Sequence, residues 1–319
     1  MFLVLQAAVM LAVAFACGRL ARLARLPAVI GELFGGILIG PTWLNWFPTP
    51  SLGIEVLARI GLICFLFVAG LEVNLDYVRR HGLAVAATSL GGILLPFATA
   101  FVAVRMAPSI WKQSLSAGQL SLFLGAALAI SALPVIARII LDLGFEKLPL
   151  ASVVLASATI DDVLGWTLFA VIVGGRMSLS GIAFLIGVLL SRRLAKRERL
   201  RQFVIGWLAP LFFVSLGLRI NFIASFDWQL VIVVCVIASI GKIAGVMLGA
   251  RLGGFATAEA AAIAMAMNAR GAVEMVLASV ALQAGLIDAR LFVALVVMAV
   301  VTSAIAGPSM RLMLRDEAS

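Results

Sequence analysis

Seven charged residues fall inside otherwise apolar stretches of this chain: Glu32, Arg59, Asp161, Asp162, Lys242, Arg270 and Glu274. A charge near the centre of a bilayer costs at least about 2.5–3.5 kcal/mol, so each of them calls for a partner or a function. Asp161 and Asp162 lie in Ala156-Ser157-Ala158-Thr159-Ile160-Asp161-Asp162-Val163, among small and apolar neighbours. Adjacent helical residues point about 100° apart, so the two carboxylates cannot share a proton face to face. One can face a cavity while the other meets a partner on a neighbouring helix, and Lys242 in Ser239-Ile240-Gly241-Lys242-Ile243 is suited to that place. Burial and pairing act in opposite senses on protonation. The cavity-facing aspartate can therefore exchange a proton for a metal cation.

Two further motifs surround this pair. In Ile130-Ser131-Ala132-Leu133-Pro134-Val135, Pro134 lacks an N–H and crowds the carbonyl of Ile130, which interrupts the helix. The freed carbonyls and the Ser131 hydroxyl are expected to be oxygen ligands for a hard cation. In Met267-Asn268-Ala269-Arg270-Gly271-Ala272-Val273-Glu274, polar residues and a glycine enter another helix, and Arg270 and Glu274 are four apart on one face. Each motif also has a plainer reading: an ion pair that fixes packing, a proline kink, a self-neutralising pair.

The elements that must hold these residues are membrane helices. Of 319 residues, 64% are hydrophobic and 12% charged, against an apolar share of about 45–50% in soluble domains. Apolar runs of roughly 17 to 25 residues recur from end to end, each long enough to cross a bilayer core as a helix. They lack the alternation that a membrane barrel needs. The segmentation expects eleven helices, near 2–18, 27–45, 55–71, 83–104, 118–141, 149–174, 179–191, 203–219, 229–250, 257–283 and 289–311. The first run has no basic region before it and no small-residue cleavage site after it, so it is taken as a helix and not a signal peptide. The segment 179–191 is short of a full crossing. Cys17, Cys64 and Cys235 fall in apolar runs and suggest no disulfide or metal pattern.

The net charge of +9 is explained by loops. Sixteen basic residues fall in alternate loops, including Arg19, Arg22, Arg25, Arg79, Arg80 and the run from Arg192 to Arg201, against five in the opposite ones. The excess marks the cytoplasmic side, placing the N-terminus outside and the C-terminus inside, and leaves no call for nucleic acid. Trp43, Trp46, Trp111 and Trp228 are expected at the outer membrane–water boundary. His81, beside Arg79 and Arg80, reads as a solvated turn residue and not a pH sensor.

The interruptions repeat. Helices four to six, with Pro134 and the aspartates, correspond to helices nine to eleven, with Lys242 and Asn268 to Glu274, and the second trio runs opposite to the first. Broken helices in matching positions of inverted halves point to a transporter site at the midplane. The expected fold is an all-α membrane protein, an inverted repeat with two interrupted crossing helices.

At this point the chain resembles the second type of monovalent cation/proton antiporters, which includes sodium/proton and potassium-efflux antiporters. The resemblance rests on Leu26-Pro27-Ala28-Val29-Ile30-Gly31-Glu32, Gly36-Ile37-Leu38-Ile39-Gly40-Pro41, Phe67-Val68-Ala69-Gly70-Leu71-Glu72, Ser131 to Arg138, Asp161-Asp162, Leu211 to Gly217 and Met267 to Gly271. It implies a multi-pass bacterial inner-membrane protein without cofactor or resident metal, exchanging Na+ or K+ for protons, electrogenic, by alternating access. By the same resemblance Asp162 binds cation and proton, Asp161 partners Lys242, Ser131 is a ligand, and Thr159, Pro134, Asn268, Arg270 and Glu274 are supporting residues. It further implies a homodimer in the bilayer, in which a core of about 83–174 and 229–311 moves against an interface region of about 2–71 and 179–219. Relative to the family's usual thirteen or so helices, roughly two crossings after the aspartate helix are missing, an even number that preserves the alternation of sides.

Three other functions compete with this one. A transport-dead subunit or sensor is favoured by the missing crossings and disfavoured by the retained Asp161, Asp162 and Lys242. An intramembrane aspartyl protease needs carboxylates that share a proton, which neighbours on one helix cannot do. A channel needs a continuous pore with a carbonyl or charge ring, whereas one site beside a lysine suits alternating access.

Overall fold

In hydrocarbon every backbone N–H and C=O must be satisfied within the protein, which restricts apolar spans of this kind to helices. The computed structural model describes residues 2–24, 28–47, 51–71, 82–111, 115–145, 147–172, 198–218 and 221–315, with the isolated residues 186 and 190, and among them every regular element is a helix. The expected crossing at 179–191, the turn with Arg79, Arg80 and His81, and the residues Arg25, Leu26, Pro27, Glu72, Lys112, Arg176, Arg192 and Arg219 lie outside this description. Among the described residues, five helices are long and apolar enough to cross a membrane: Leu3–Leu23, Gly82–Met106, Glu198–Gly217, Trp228–Leu252 and Ala289–Leu314.

The chain divides into two compact units, Met1–Val73 with Arg176–Phe226, and Asn74–Gly175 with Asp227–Ser319. The first contains α1 (Phe2–Leu23), α2 (Ala28–Ile39), α3 (Leu52–Leu71) and α8 (Glu198–Gly217). Its core joins Met10, Ala14, Ile39, Ile54, Leu211, Val214 and Leu218. Pro210 has no N–H to give the preceding turn, and α8 widens to a π turn over Val204–Leu208, closed by the Ala209 N–H on the Val204 carbonyl. Of the two intramembrane charges expected here, Glu32 is half-buried on α2 and Arg59 is on the exposed face of α3.

The second unit carries α4 (Gly82–Met106), α5 (Ala117–Ala129), α6 (Leu133–Leu143), α7 (Pro149–Ile172), α9 (Trp228–Leu252), α10 (Thr257–Met267), α11 (Ala272–Gln283) and α12 (Ala289–Arg315). The spans expected as 118–141 and 257–283 are thus each two helices joined by a short extended link, α5–α6 and α10–α11. Helices α4 and α9 pack along much of their length, and glycine makes this approach possible. A Cβ on Gly245 would stand 2.1 Å from the Gly91 carbonyl oxygen, and one on Gly91 at the same 2.1 Å from that of Gly245. Gly249 lies as close to the Ala87 carbonyl. Small residues four apart are the usual means of bringing two membrane helices into backbone contact, where apolar area adds little because lipid is equally apolar.

The boundary aromatics differ in exposure. Trp43, Trp46 and Trp228 are exposed, but Trp111 is buried, in the single turn Pro108–Trp111, with its indole N–H on the Ala103 carbonyl at 3.3 Å. Its amphipathic ring serves there as a packed side chain with one satisfied donor.

Asp227 caps α9 by accepting from the N–H groups of Gln229 and Leu230, and pairs with Arg290 at 2.6 Å. The Leu230 N–H, with the Arg290 charge acting in the same sense, holds the Asp227 carboxylate below the usual aspartate range. The stabilisation is complete above that usual range and fades as pH falls through the lowered folded-state value. Asp227→Asn should therefore lose less thermal stability than the wild type between neutral and acidic pH. Gly245→Ala should destabilise the protein by about 1–3 kcal/mol through forced separation of α4 and α9. Gly118→Ala, at a site where a Cβ meets nothing within 4 Å, should be neutral in the same thermal unfolding assay.

Candidate functional site

The site begins with the end of α5. Ile130 turns extended at φ −72° and ψ 140°, and α6 starts at Leu133 with Pro134 as its second residue. The last carbonyls of a helix have no intrahelical donor, and here the helix stops inside the protein. Two buried cations supply the donors. Arg270 donates from Nη1 to the carbonyls of Ala127 and Ile130, both at 3.2 Å, and from Nη2 to that of Leu128 at 2.7 Å. Lys242 donates to the remaining carbonyl, Ala129, at 2.5 Å. Positive charge at a helix C-terminus also opposes the helix dipole.

The second break is tied to the first. α10 ends at Met267, and α11 resumes after Gly271, whose backbone is extended. The Ala132 N–H donates to the Ala269 carbonyl at 3.0 Å, and the Ser131 hydroxyl is within 2.9 Å of the Met267 carbonyl. Ser303 on α12 donates to the Arg270 carbonyl. A Cβ on Gly271 would come within 2.8 Å of a Val135 methyl and 3.1 Å of the Ala132 Cβ, so the two links cross at close range.

Asp161 lies at this crossing. Its Oδ2 accepts from Lys242 Nζ at 2.6 Å and from Ser131 Oγ at 3.0 Å, and its Oδ1 accepts from Ser89 Oγ at 2.8 Å. Lys242, fully buried, has three protons and three oxygens to receive them: Asp161, Ala129 and, at 3.0 Å, the Gly92 carbonyl. Buried ions are tolerated when paired and fully hydrogen-bonded, and this pair meets both conditions. Asp162, one residue on, is 4% exposed, and the helical turn of about 100° directs it away from Asp161. The structure thus brings Asp161, Lys242 and Ser131 together and buries Asp162 beside them.

The other expected residues fall into place differently. The Thr159 hydroxyl donates to Leu155 within its own helix at 2.9 Å. Pro134 acts through the backbone break. Asn268 caps α10 and reaches Ser239 only at 3.5 Å. Arg270 and Glu274 form an ion pair at 3.6 Å, both buried. The expectation that the freed carbonyls of the first break stand open to a cation is modified: those of residues 127–130 all receive donors from Arg270 or Lys242. Three residues were not anticipated: Ser89, Ser239 and Ser303. Their only sequence signal is a hydroxyl in an otherwise apolar span, a weak one because serine also bonds to its own helix.

Two interrupted helices crossing over a buried aspartate–lysine pair define the fold class of secondary transporters built from inverted repeats. The chain belongs to the family described as "Sodium/hydrogen exchanger, transmembrane", which it matches over residues 9–182 and 177–316. It is 27% identical to Cation/H(+) antiporter 18 of Arabidopsis thaliana over 96% of this chain, and spans about half the length of that protein, 48%. It is 28% identical to the Na(+)/H(+) antiporter NhaS4 of Synechocystis, over 88% of this chain and 90% of that one. The Na(+)/H(+)-K(+) antiporter GerN of Bacillus cereus is 26% identical, with 89% of each chain covered. Among solved structures, the sodium proton antiporter MjNhaP1 of Methanocaldococcus jannaschii shares the fold at a TM-score of 0.64 and 15% identity, covering 100% of this chain and 97% of its own.

Lys242→Met should leave Asp161 as a buried anion held only by two serines, at a cost of about 3–5 kcal/mol. The double variant Asp161→Asn/Lys242→Met should recover much of this. Thermal unfolding in detergent compares the three proteins, and a double variant less stable than Lys242→Met would contradict the pairing.

Proposed function

We propose that this chain exchanges a monovalent cation, sodium or potassium, for protons across a bacterial inner membrane. Asp162 binds cation and proton in turn by alternating access. Asp161 stays paired with Lys242 and fixes the geometry of the crossing. Ser131 gives its proton to Asp161 or Met267 and keeps oxygen lone pairs for the cation. The exchange is electrogenic, with more protons than cations moved per cycle. The protein works as a homodimer with its N-terminus outside and C-terminus in the cytoplasm, and a core of about 83–174 and 229–311 moves against helices of about 2–71 and 179–219.

The observation that carries this reading is a buried carboxylate, Asp162, next to an aspartate already paired with Lys242 and within hydrogen-bond distance of Ser89 and Ser131. Asp161 is committed to the Lys242 ion pair, and Asp162 is read as the carrier of the transported ion. The names of NhaS4 and GerN, both sodium/proton antiporters, support the substrate class. A transport-dead subunit or sensor derived from an antiporter is the alternative; the fully bonded Asp161–Lys242 pair beside Asp162 weighs against it, since a chain released from transport has no need of so costly a group of charges.

The test is reconstitution in liposomes with an imposed pH gradient reported by a pH-sensitive dye. Addition of sodium or potassium should collapse the gradient with wild-type protein. Asp162→Asn should reduce the response to the level of empty vesicles, while a wild type silent towards sodium, potassium and lithium alike would support the transport-dead alternative.

A further inference from the structure

The electrogenic exchange proposed above requires a second proton-carrying group beside Asp162, and Asp161 and Lys242 are hydrogen-bonded to each other. The rest of the buried charge lies on Arg270 and Glu274. Among the described residues the interior of the second unit holds two cations, Lys242 and Arg270, and three carboxylates, Asp161, Asp162 and Glu274. Glu274 is 2% exposed, yet neither of its oxygens accepts a hydrogen bond. Its nearest positive atom, Arg270 Nη1, is 3.6 Å away and directs its hydrogen bonds to the carbonyls of Ala127 and Ile130. Arg270 is thus stabilised by three carbonyls at the end of α5, whatever the charge on Glu274. An ionised carboxylate without a single hydrogen bond is costly in the interior, while its place in the first turn of α11 favours the anion through the helix dipole. The two effects oppose each other.

We propose that Glu274 is a second proton-carrying carboxylate of the transport cycle, taking a proton on one of its oxygens when Asp162 does and releasing it when the cation arrives. The inference rests on the reading of Asp162 as the cation-binding group. Coupling passes through charge: Lys242 on α9 lies within the electrostatic reach of both Asp162 and Glu274. The groups facing Glu274 are Arg270 from the α10–α11 link and Lys242 and Cys235 from α9. α5 has no titratable side chain, and those of α12, Arg290, Arg311 and Arg315, are confined to its terminal turns. With one cation on Asp162 and Glu274 ionised, the buried charges cancel. With protons on both carboxylates they sum to one positive charge, so each exchange carries a net charge across the membrane. A counter-ion that only balances Arg270 would stay ionised throughout and release nothing.

The experiment counts protons. Purified protein in unbuffered detergent solution is titrated with sodium or potassium chloride at a series of starting pH values, and proton release is read with a pH dye, with cation-induced thermal stabilisation measured in parallel. Coupled sites titrate jointly, so the wild type should release at most about two protons per chain and Glu274→Gln at most about one, with cation stabilisation retained in both. Equal release from the two proteins overturns the proposal. Cation stabilisation that survives Asp162→Asn would instead overturn the assignment of Asp162, on which the proposal rests. If Glu274→Gln does not fold, Glu274→Asp carries the decision: a cation-sensitive infrared band of a protonated carboxyl whose frequency differs between the wild type and this variant supports position 274 as the titrating group, and a band unchanged by the substitution overturns it.

Discussion

The carbonyls at the end of α5 are the constraint around which the second unit is built. A helix that stops inside a membrane protein leaves its last backbone acceptors without water to satisfy them. Here Arg270 takes three of these and Lys242 the fourth. Two positive charges are thereby brought into the interior, and carboxylates follow to balance them. The chemistry at Asp161 and Asp162 is a consequence of a helix break as much as of the aspartates themselves.

The surrounding packing serves that arrangement. The glycine contact of α4 with α9 brings Ser89 and the Gly92 carbonyl to the level of Lys242 and Asp161. With a side chain at Gly91 or Gly245 the two backbones would have to separate, and bonds of 2.6 to 3.0 Å tolerate little separation. The crossing of the two links adds its own bonds, from Ala132 to Ala269 and from Ser131 to Met267. The Ser131 hydroxyl has one proton and two acceptors within reach, Asp161 and Met267, so it joins the carboxylate to the backbone of the second break.

Function then follows from an inequality between carboxylates. Asp161 is within hydrogen-bond distance of Lys242, Ser89 and Ser131, whereas neither oxygen of Glu274 accepts a hydrogen bond. A carboxylate surrounded by donors keeps its charge; one held more loosely can lose it to a proton. In the proposed exchange, Asp161 with Lys242 is the fixed part and the other two acids are the parts that change.

Much of this was legible in the sequence. Apolar runs without strand alternation specify membrane helices because a helix satisfies its own backbone in lipid, and Pro134 and the Asn268–Gly271 stretch mark both breaks because they remove a donor or loosen the helix. That Lys242 meets one of the two aspartates was readable because a lone buried lysine must find an acid; that the partner is Asp161 was implied only by the family resemblance. Other features were decided by tertiary structure alone. That Arg270 reaches the carbonyls of α5, that Ser89 and not Thr159 bonds to Asp161, and that Trp111 is buried while Trp43, Trp46 and Trp228 are exposed depend on which helices lie side by side and at what height. Residue type tells that a charge in the membrane needs a partner; only the packing of helices distant in the chain, set by glycine contacts and the crossing of two links, determines which partner it finds.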